Sequence, residues 1–75
     1  MAEDRSDPTA WIAAFAARLG VDPPDAATVD QLLDLAGVAA HASARTAAPI
    51  ACWLVGRAGL SAAEALAVAE ELAGG

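Results

Sequence analysis

The sequence predicts an all-α fold, a single small, bundle-like domain of about four short helices. Alanine, the residue with the highest helix propensity, supplies most of the 57% apolar fraction. Four segments carry apolar residues at helical spacing between start and stop signals, and no segment alternates as a half-buried strand does. The chain of 75 residues allows one domain. We place that domain at residues 7–73, after a disordered polar tail at residues 1–6.

The first predicted helix runs from about Pro8 to Leu19. Asp7 is its predicted N-cap, and Pro8 is its first helical residue, a position that proline favours. Gly20 ends the helix, and Pro23–Pro24 forms a rigid connector because consecutive prolines cannot continue a helix. The apolar stripe of this helix consists of Trp11, Ile12, Phe15 and Leu19.

The second predicted helix begins within residues 25–30 and runs to about Arg45. Thr28 is its predicted N-cap, and Gln31 follows three residues later to complete a capping box. Gly37 lies in its interior, where glycine is about 1 kcal/mol less favourable than alanine. We interpret that glycine as a packing contact.

The third predicted helix spans roughly Pro49 to Ala58, after a break at residues 46–49, and Gly59 is its predicted C-cap. It is apolar nearly all round, through Ile50, Cys52, Trp53, Leu54 and Val55. A helix of this kind is normally buried. We therefore expect it at the centre of the fold or at an interface, with Trp53 largely buried.

A capping box opens the fourth predicted helix. It is formed by Ser61 and Glu64, in the spacing that lets each side chain bond the other residue's N–H. The residues expected to line one face are Ala65, Val68 and Leu72. The helix ends near Gly74–Gly75.

The charge balance argues against two classes of partner. The chain has a net charge of −6 and no lysine. Such a surface repels phosphate backbones and anionic lipids, so we expect neither nucleic-acid nor membrane binding. The acidic N-terminus and the lack of ~18 uninterrupted apolar residues predict no secretory leader and no membrane span. One cysteine without an export signal fits the cytoplasm.

We predict no enzyme activity, no metal site and no cofactor. Cys52 and His41 are the only cysteine and histidine, and such a pair cannot complete a four-ligand zinc site. The chain has no glycine-rich phosphate loop, no zinc-protease motif and no CxxC pair. No nucleophile adjoins His41 in the sequence, so no catalytic arrangement is evident.

One constellation on the second helix is a candidate site. Its members are Asp30, Asp34, Gly37, His41 and Arg45. Their spacing places them within about 80° of one helix face. One interpretation is a solvated face, with acids and cations placed as the helix dipole prefers. The other is a ligand or partner contact, made by Asp34, His41, Arg45 and Pro49. There, the free N–H groups opening the third helix would join Arg45 and His41 around a phosphate or carboxylate.

Large apolar residues are few in this alanine-rich chain, so each contributes a larger share of the buried area. The predicted core or interface anchors are Trp11, Phe15, Leu32 and Trp53. A domain of this size has a thin stability margin, and this one has no disulfide or metal to support it. We therefore expect a homodimer or a complex with another protein, formed through the first or third helix.

Four short motifs are distributed along the chain: Val29–Ala36 (VDQLLDLA), Ala39–His41 (AAH), Arg45–Pro49 (RTAAP) and Leu54–Gly56 (LVG). Together with the first helix around Trp11, they resemble a small helical family of unknown function from GC-rich bacteria. Members of that family occur alone or as a C-terminal extension of nucleotidyltransferases of the molybdopterin-guanine dinucleotide type. The resemblance implies a role beside molybdenum-cofactor assembly or the enzymes that use this cofactor, such as formate dehydrogenases. It implies no reaction.

Two functions are therefore hypotheses. The first is a non-catalytic accessory protein in molybdenum-cofactor biosynthesis or molybdoenzyme maturation, which binds the nucleotidyltransferase, a molybdoenzyme or a second copy of itself. The alternative is a small binding domain for a nucleotide or pterin phosphate at the junction of the second and third helices. An exposed apolar patch on the first or third helix favours the first function. A concave pocket at the junction favours the second.

Overall fold

Four α-helices make up the described part of the chain. The structure, a computed structural model, describes residues 8–74, with α1 at Thr9–Leu19, α2 at Ala26–Ala42, α3 at Ala47–Ala58 and α4 at Ala62–Gly74. No strand occurs within those residues, so the predicted all-α class is confirmed. The tail predicted at residues 1–6 and the predicted N-cap Asp7 lie outside the described residues.

α1 ends where a glycine allows the left-handed backbone. Gly20 has a φ of 78°, and its N–H donates to the carbonyl of Ala17 at 3.1 Å. The N–H of Val21 donates to the carbonyl of Ala16 at 3.0 Å. This pair of bonds is the Schellman arrangement, which satisfies the last carbonyls of a helix. The predicted stop is confirmed, whereas Pro8 precedes the helix instead of being its first residue.

α2 starts at a different N-cap from the one predicted. The carboxylate of Asp25 accepts a hydrogen bond from the N–H of Thr28 at 2.8 Å, and Asp25 itself has an extended backbone. The preceding Pro24 disfavours a helical backbone before it, and aspartate caps at least as well as threonine. The capping box predicted for Thr28 and Gln31 is therefore wrong, because the helix begins at Ala26.

The junction between α2 and α3 lies earlier than predicted. α2 ends at Ala42, three residues before Arg45, and Ser43 leaves the helical backbone while its N–H still donates to Ala39. α3 then begins at Ala47. Pro49 fits inside the first turn of α3, since the N–H groups there have no intrahelical partner to lose.

The start of α4 and the end of α3 follow the predicted signals. Gly59 has a φ of 73° and caps α3. The N–H of Ser61 donates to the Glu64 carboxylate at 3.0 Å, and the N–H of Glu64 donates to the Ser61 hydroxyl at 3.1 Å. The predicted capping box is confirmed by this reciprocal pair. The Ser61 backbone N–H and, to a smaller extent, the Ser61 side chain lower the pKa of the Glu64 carboxyl.

α2 is the central helix of the fold. It packs against both α3 and α4, and no comparably extended contact involves α1 or joins α3 to α4 within residues 8–74. The buried residues of that region are one leucine and three alanines, namely Ala16, Leu35, Ala62 and Ala65. Leu35 of α2 is only 2% exposed and is the largest of them. No helix of the described chain is long and apolar enough to cross a membrane.

The expectation that α3 occupies the centre of the fold is wrong. None of its residues is buried, and Trp53 is 62% exposed. α3 turns its small residues Ala47, Ala48 and Ala51 inward, where they are half-buried. Small side chains at a contact allow helices to approach closely, and this choice leaves the bulky residues outside. Burial of Trp53 was therefore predicted incorrectly for the isolated chain.

Two further predicted features look different in the structure. α4 buries Ala62 and Ala65, while Val68 and Leu72, which were predicted to share a face with Ala65, are exposed. Gly37 is not a packing contact, because a Cβ placed on it meets no atom within 4 Å. The most buried side chains of α4 are thus alanines, with Leu66 half-buried on the same side.

Candidate functional site

The structure separates Arg45 from the other members of the constellation predicted on α2. Asp34 and His41 lie on α2 and are exposed, but Arg45 lies in the turn after the helix ended. Arg45 therefore does not continue the helical spacing of the other members. Pro49 is exposed on the first turn of α3. Across residues 8–74, no ion pair or hydrogen bond involves the side chains of Asp34, His41 or Arg45.

The amide donors expected at the start of α3 are already engaged. The N–H of Ala47 donates to the carbonyl of Ala44 at 2.8 Å, and the N–H of Ala48 donates to the carbonyl of Arg45 at 3.2 Å. Pro49, the next residue, has no N–H. An anion at this junction would therefore meet none of the first three N–H positions of the helix. The expectation of free N–H groups at this junction is corrected accordingly.

α1 presents two faces that have different surroundings. On one face, Ile12 and Ala13 adjoin the connector and the first turn of α2, where Pro23, Pro24 and Val29 lie. On the other face, about 130° away around the helix axis, Trp11 and Phe15 project into solvent. Their exposed fractions are 64% and 48%. We call this pair the aromatic ridge.

Between α3 and α4 runs an apolar cleft with α2 as its floor. One end has a volume of about 220 Å³ and is lined by Leu35, Ala51, Leu54, Val55, Ala58, Leu60, Ala65, Val68 and Ala69. The other end has a volume of about 240 Å³ and reaches Ala47 and Leu72. Ala51 and Ala69 line both ends, so the cleft is continuous. We call it the α3–α4 cleft.

A third apolar feature lies on the outer side of α3. Trp53 and Ile50 are both exposed, and helical geometry places them opposite the side on which Ala51 and Val55 meet the rest of the chain. Arg57, one turn further on, shares this side. We call Ile50 and Trp53 the outer face of α3. A large aromatic beside an arginine is the residue combination enriched at interaction hot spots.

The titratable side chains of the described region do not form a reactive or metal-binding cluster. No group of three or more histidine, cysteine, aspartate or glutamate side chains is placed to hold a metal ion within residues 8–74. Cys52 is a half-buried free thiol on α3. Within residues 8–74, the other carboxyl with a shifted pKa is that of Asp25. The Thr28 side chain and then its backbone N–H lower this pKa, through the same cap that starts α2.

Of the four predicted core or interface anchors, the structure exposes three. Trp11, Phe15 and Trp53 are exposed, and Leu32 is half-buried on α2. None of the four is therefore part of the core within the chain, and the interface interpretation stays a prediction. The sequence analysis missed the α3–α4 cleft. The signal that indicates it is the all-round apolar surface of α3, since one neighbouring helix covers only one side of another.

Comparison with known proteins identifies the family and goes no further. The family described as "Domain of unknown function (DUF6457)" matches residues 3–75. The chain belongs to this family. No curated protein and no solved structure matches it. The exposed aromatic ridge, the α3–α4 cleft and the outer face of α3 are thus features of a DUF6457 domain whose function must be inferred from its surface.

Proposed function

We propose that this DUF6457 chain is a non-catalytic accessory domain that binds another protein through its exposed apolar side chains. The observation that carries this proposal is the exposure of both tryptophans, at 64% and 62%. Large aromatic side chains gain the most from leaving water, and contiguous exposed apolar surface on a small domain indicates a partner. In this proposal, binding a partner buries the large apolar side chains that the small core leaves exposed.

The physical chemistry of the surface supports a protein partner over other macromolecules. A net charge of −6 without any lysine disfavours binding to the phosphate backbone of nucleic acids and to anionic bilayers. The aromatic ridge and the outer face of α3 carry aromatic side chains, which are enriched at the centre of protein interfaces.

For the partner, we propose a nucleotidyltransferase of the molybdopterin-guanine dinucleotide type or a molybdoenzyme such as a formate dehydrogenase. The support is the sequence resemblance carried by the motifs Val29–Ala36, Ala39–His41, Arg45–Pro49 and Leu54–Gly56. In this proposal the domain contributes no chemistry and acts in molybdenum-cofactor biosynthesis or molybdoenzyme maturation by holding its partner. It does so in the cytoplasm.

We assign the contact with this partner to the outer face of α3. Trp53 and Ile50 stand on the side of α3 turned away from α2, so a partner reaches them without any rearrangement of the domain. Arg57 on the same side supplies a cation in a chain that has only four. An indole flanked by an aliphatic side chain and a guanidinium is a typical centre for a small interface.

The test is calorimetric titration of the purified nucleotidyltransferase with this chain and with two variants. We expect binding by the parent chain and affinity weaker by about tenfold or more for Trp53→Ala, as for a hot-spot residue. Leu33→Ala is the matched control, because Leu33 is similarly exposed on α2 but lies away from α3. Titrations of the nucleotidyltransferase and of a formate dehydrogenase that both lack any binding signal contradict the proposal.

A further inference from the structure

We propose that the α3–α4 cleft is the binding site for the aromatic ridge of a second copy of this chain, in a reciprocal two-fold dimer. The inference rests on the proposed function in one respect, since both treat exposed apolar side chains as binding surface. It goes beyond that function by naming the occupant of a different surface. The cleft and the ridge lie apart from the outer face of α3.

The cleft has the shape of a space that a further helix could occupy between α3 and α4. α3 and α4 both pack on α2 but make no comparably extended contact with each other, so their inner sides stay apart. Ala47 and Ala51 of α3 face Leu72 and Ala73 of α4 at one end. At about 1.5 Å per residue, α3 is about 18 Å long and α1 is about 16 Å long. A helix of the length of α1 therefore spans the cleft.

The volumes of the cleft match aromatic side chains. An apolar cavity of about 150 Å³ accommodates a benzene molecule, and the two ends of the cleft measure about 220 and 240 Å³. The ridge offers two rings one helical turn apart, stacked with centroids separated by 5.1 Å. Helix-in-groove recognition uses residues at this spacing as anchors.

The chain's own α1 is not placed to fill its own cleft. Ile12 and Ala13 line one pocket together with Pro23, Pro24 and Val29, and Ala16 of α1 is buried. The ridge points about 130° away from that contact. To reach the cleft within one chain, α1 would have to leave the pocket that Ile12 shares with the connector and give up the burial of Ala16. A second copy can bring its ridge to the cleft while both copies keep this contact.

The charges near the two surfaces are complementary. Arg18 is the only charged residue of α1 and lies on the ridge side, beside Trp11 and Phe15. On α4, Glu64 and Glu71 flank Val68, which lines the cleft. When the ridge lies in the cleft, the Arg18 guanidinium comes near the carboxylates of Glu64 and Glu71. This charge pairing favours α1 over a helix that carries acidic residues at that position.

The area of the contact requires a reciprocal pair. The exposed parts of Trp11 and Phe15 offer on the order of 250 Å², given about 150–250 Å² for each aromatic side chain. Two ridges and two clefts then bury about 1,000 Å² in total, the lower limit for a specific interface. A single ridge in a single cleft falls well below this limit. A two-fold arrangement uses both contacts and leaves no open end for further growth.

The experiment combines a ridge variant with a cleft variant. Trp11→Asp removes the ridge and leaves the cleft, whereas Val68→Asp charges the cleft and leaves the ridge. Leu33→Asp is the control, because it adds the same charge at a similarly exposed residue outside both surfaces. All samples contain a reductant, so that the free thiol of Cys52 cannot link two copies covalently.

Sedimentation equilibrium on the full chain tests the dimer. We expect the parent chain and Leu33→Asp to dimerise at up to ~500 µM, with both other variants weakened by about tenfold or more. Mixing ¹⁵N-labelled Trp11→Asp with unlabelled Val68→Asp restores one ridge–cleft contact, seen as amide shifts along the cleft of the labelled chain. Labelling Val68→Asp instead moves the amide signals of α1. Circular dichroism confirms that each variant keeps its helices.

Two outcomes overturn the inference. One is a parent chain that stays monomeric throughout that concentration range. The other is a dimer that Val68→Asp leaves as tight as in the parent chain, which indicates ridge-to-ridge contact. Failure of the proposed function looks different, because Trp53→Ala acts on the partner titration and leaves self-association unchanged. A monomeric chain that still binds the nucleotidyltransferase overturns only the dimer.

Discussion

The rings of Trp11 and Phe15 stack on the solvent side of α1, with centroids 5.1 Å apart and an interplanar angle of 26°. They are one helical turn apart in the sequence, so the stack forms within a single helix and needs no other part of the chain. Yet 64% and 48% of the two side chains remain exposed. The stack orders the two rings before any partner arrives, which lowers the entropic cost of binding through them.

Stability should depend on Leu35 far more than on Trp53. Leu35→Ala removes the largest buried side chain and should lower the free energy of unfolding by about 2–5 kcal/mol. Trp53→Ala changes a side chain that is 62% exposed, so we expect a loss of less than about 1 kcal/mol. Urea unfolding at low protein concentration measures both. An equal or larger loss for Trp53→Ala would show that α3 turns its other side inward.

Two glycines should respond to alanine substitution in opposite directions. Gly37→Ala places a methyl group in open space within α2 and should stabilise the domain by about 0.5–1 kcal/mol. Gly59→Ala forces a left-handed backbone on alanine, at a φ of 73°, and should destabilise it by about 1 kcal/mol. Thermal melts of both variants beside the parent chain provide the measurement. A destabilising Gly37→Ala would mean that another molecule packs against that face of α2.

The two helix caps should make stability depend on acid pH. The pKa values of Asp25 and Glu64 are lowered from 3.8 and 4.5 by the hydrogen bonds of their caps. A lowered pKa in the folded state means that the charged form is stabilised by folding. This contribution is complete at pH values above 4.5 and is lost as the pH falls through the two lowered pKa values.

The variant Asp25→Asn, Glu64→Gln keeps acceptors at both caps but cannot titrate there. We expect the parent chain to melt at a higher temperature than this variant at neutral pH, with the difference shrinking in acid. Melting curves between about pH 2.5 and 7 cover the window in which these carboxyls titrate. A difference that stays constant through the acid range contradicts the role assigned to the two carboxylates.

An anionic ligand should not bind at the junction of α2 and α3. Arg45 lies outside α2, and the N–H groups of Ala47 and Ala48 already bond to carbonyls. We expect no saturable signal on titration with a phosphate-bearing pterin or nucleotide at pH 6. Arg45→Ala should leave the melting temperature unchanged. Saturable binding that Arg45→Ala abolishes would restore the ligand-binding alternative.

Much of the local structure could be predicted because its causes lie within a few residues. The Ser61–Glu64 capping box and the stops at Gly20 and Gly59 each depend on side chains or backbone freedom within one turn. Where two local signals competed, prediction was less accurate. Thr28 and Asp25 are both good caps. The prolines restrict the residues before Pro24, so the helix can start directly after it, and Asp25 is the first cap available there.

The candidate site could be predicted only in part. The sequence marks Trp11, Phe15 and Trp53 as the large side chains most relevant to burial, and it marks α3 as apolar on every side. A helix of that kind gives no periodic signal for which side faces inward. The constellation from Asp34 to Arg45 assumed that the helix continues through Ser43. The backbone leaves the helix there, and neither a glycine nor a proline marks that end in the sequence.

The sequence by itself determined the number of helices, most of their caps and the acidic charge, because each depends on local chemistry or on composition. Only the tertiary structure decided which sides of α3 and α4 meet α2. Alanine contacts allow the closest approach of these helices, and so the large side chains were left at the surface. Burial depends on segments far apart in the chain, and the balance between close packing and apolar area is set when those segments meet.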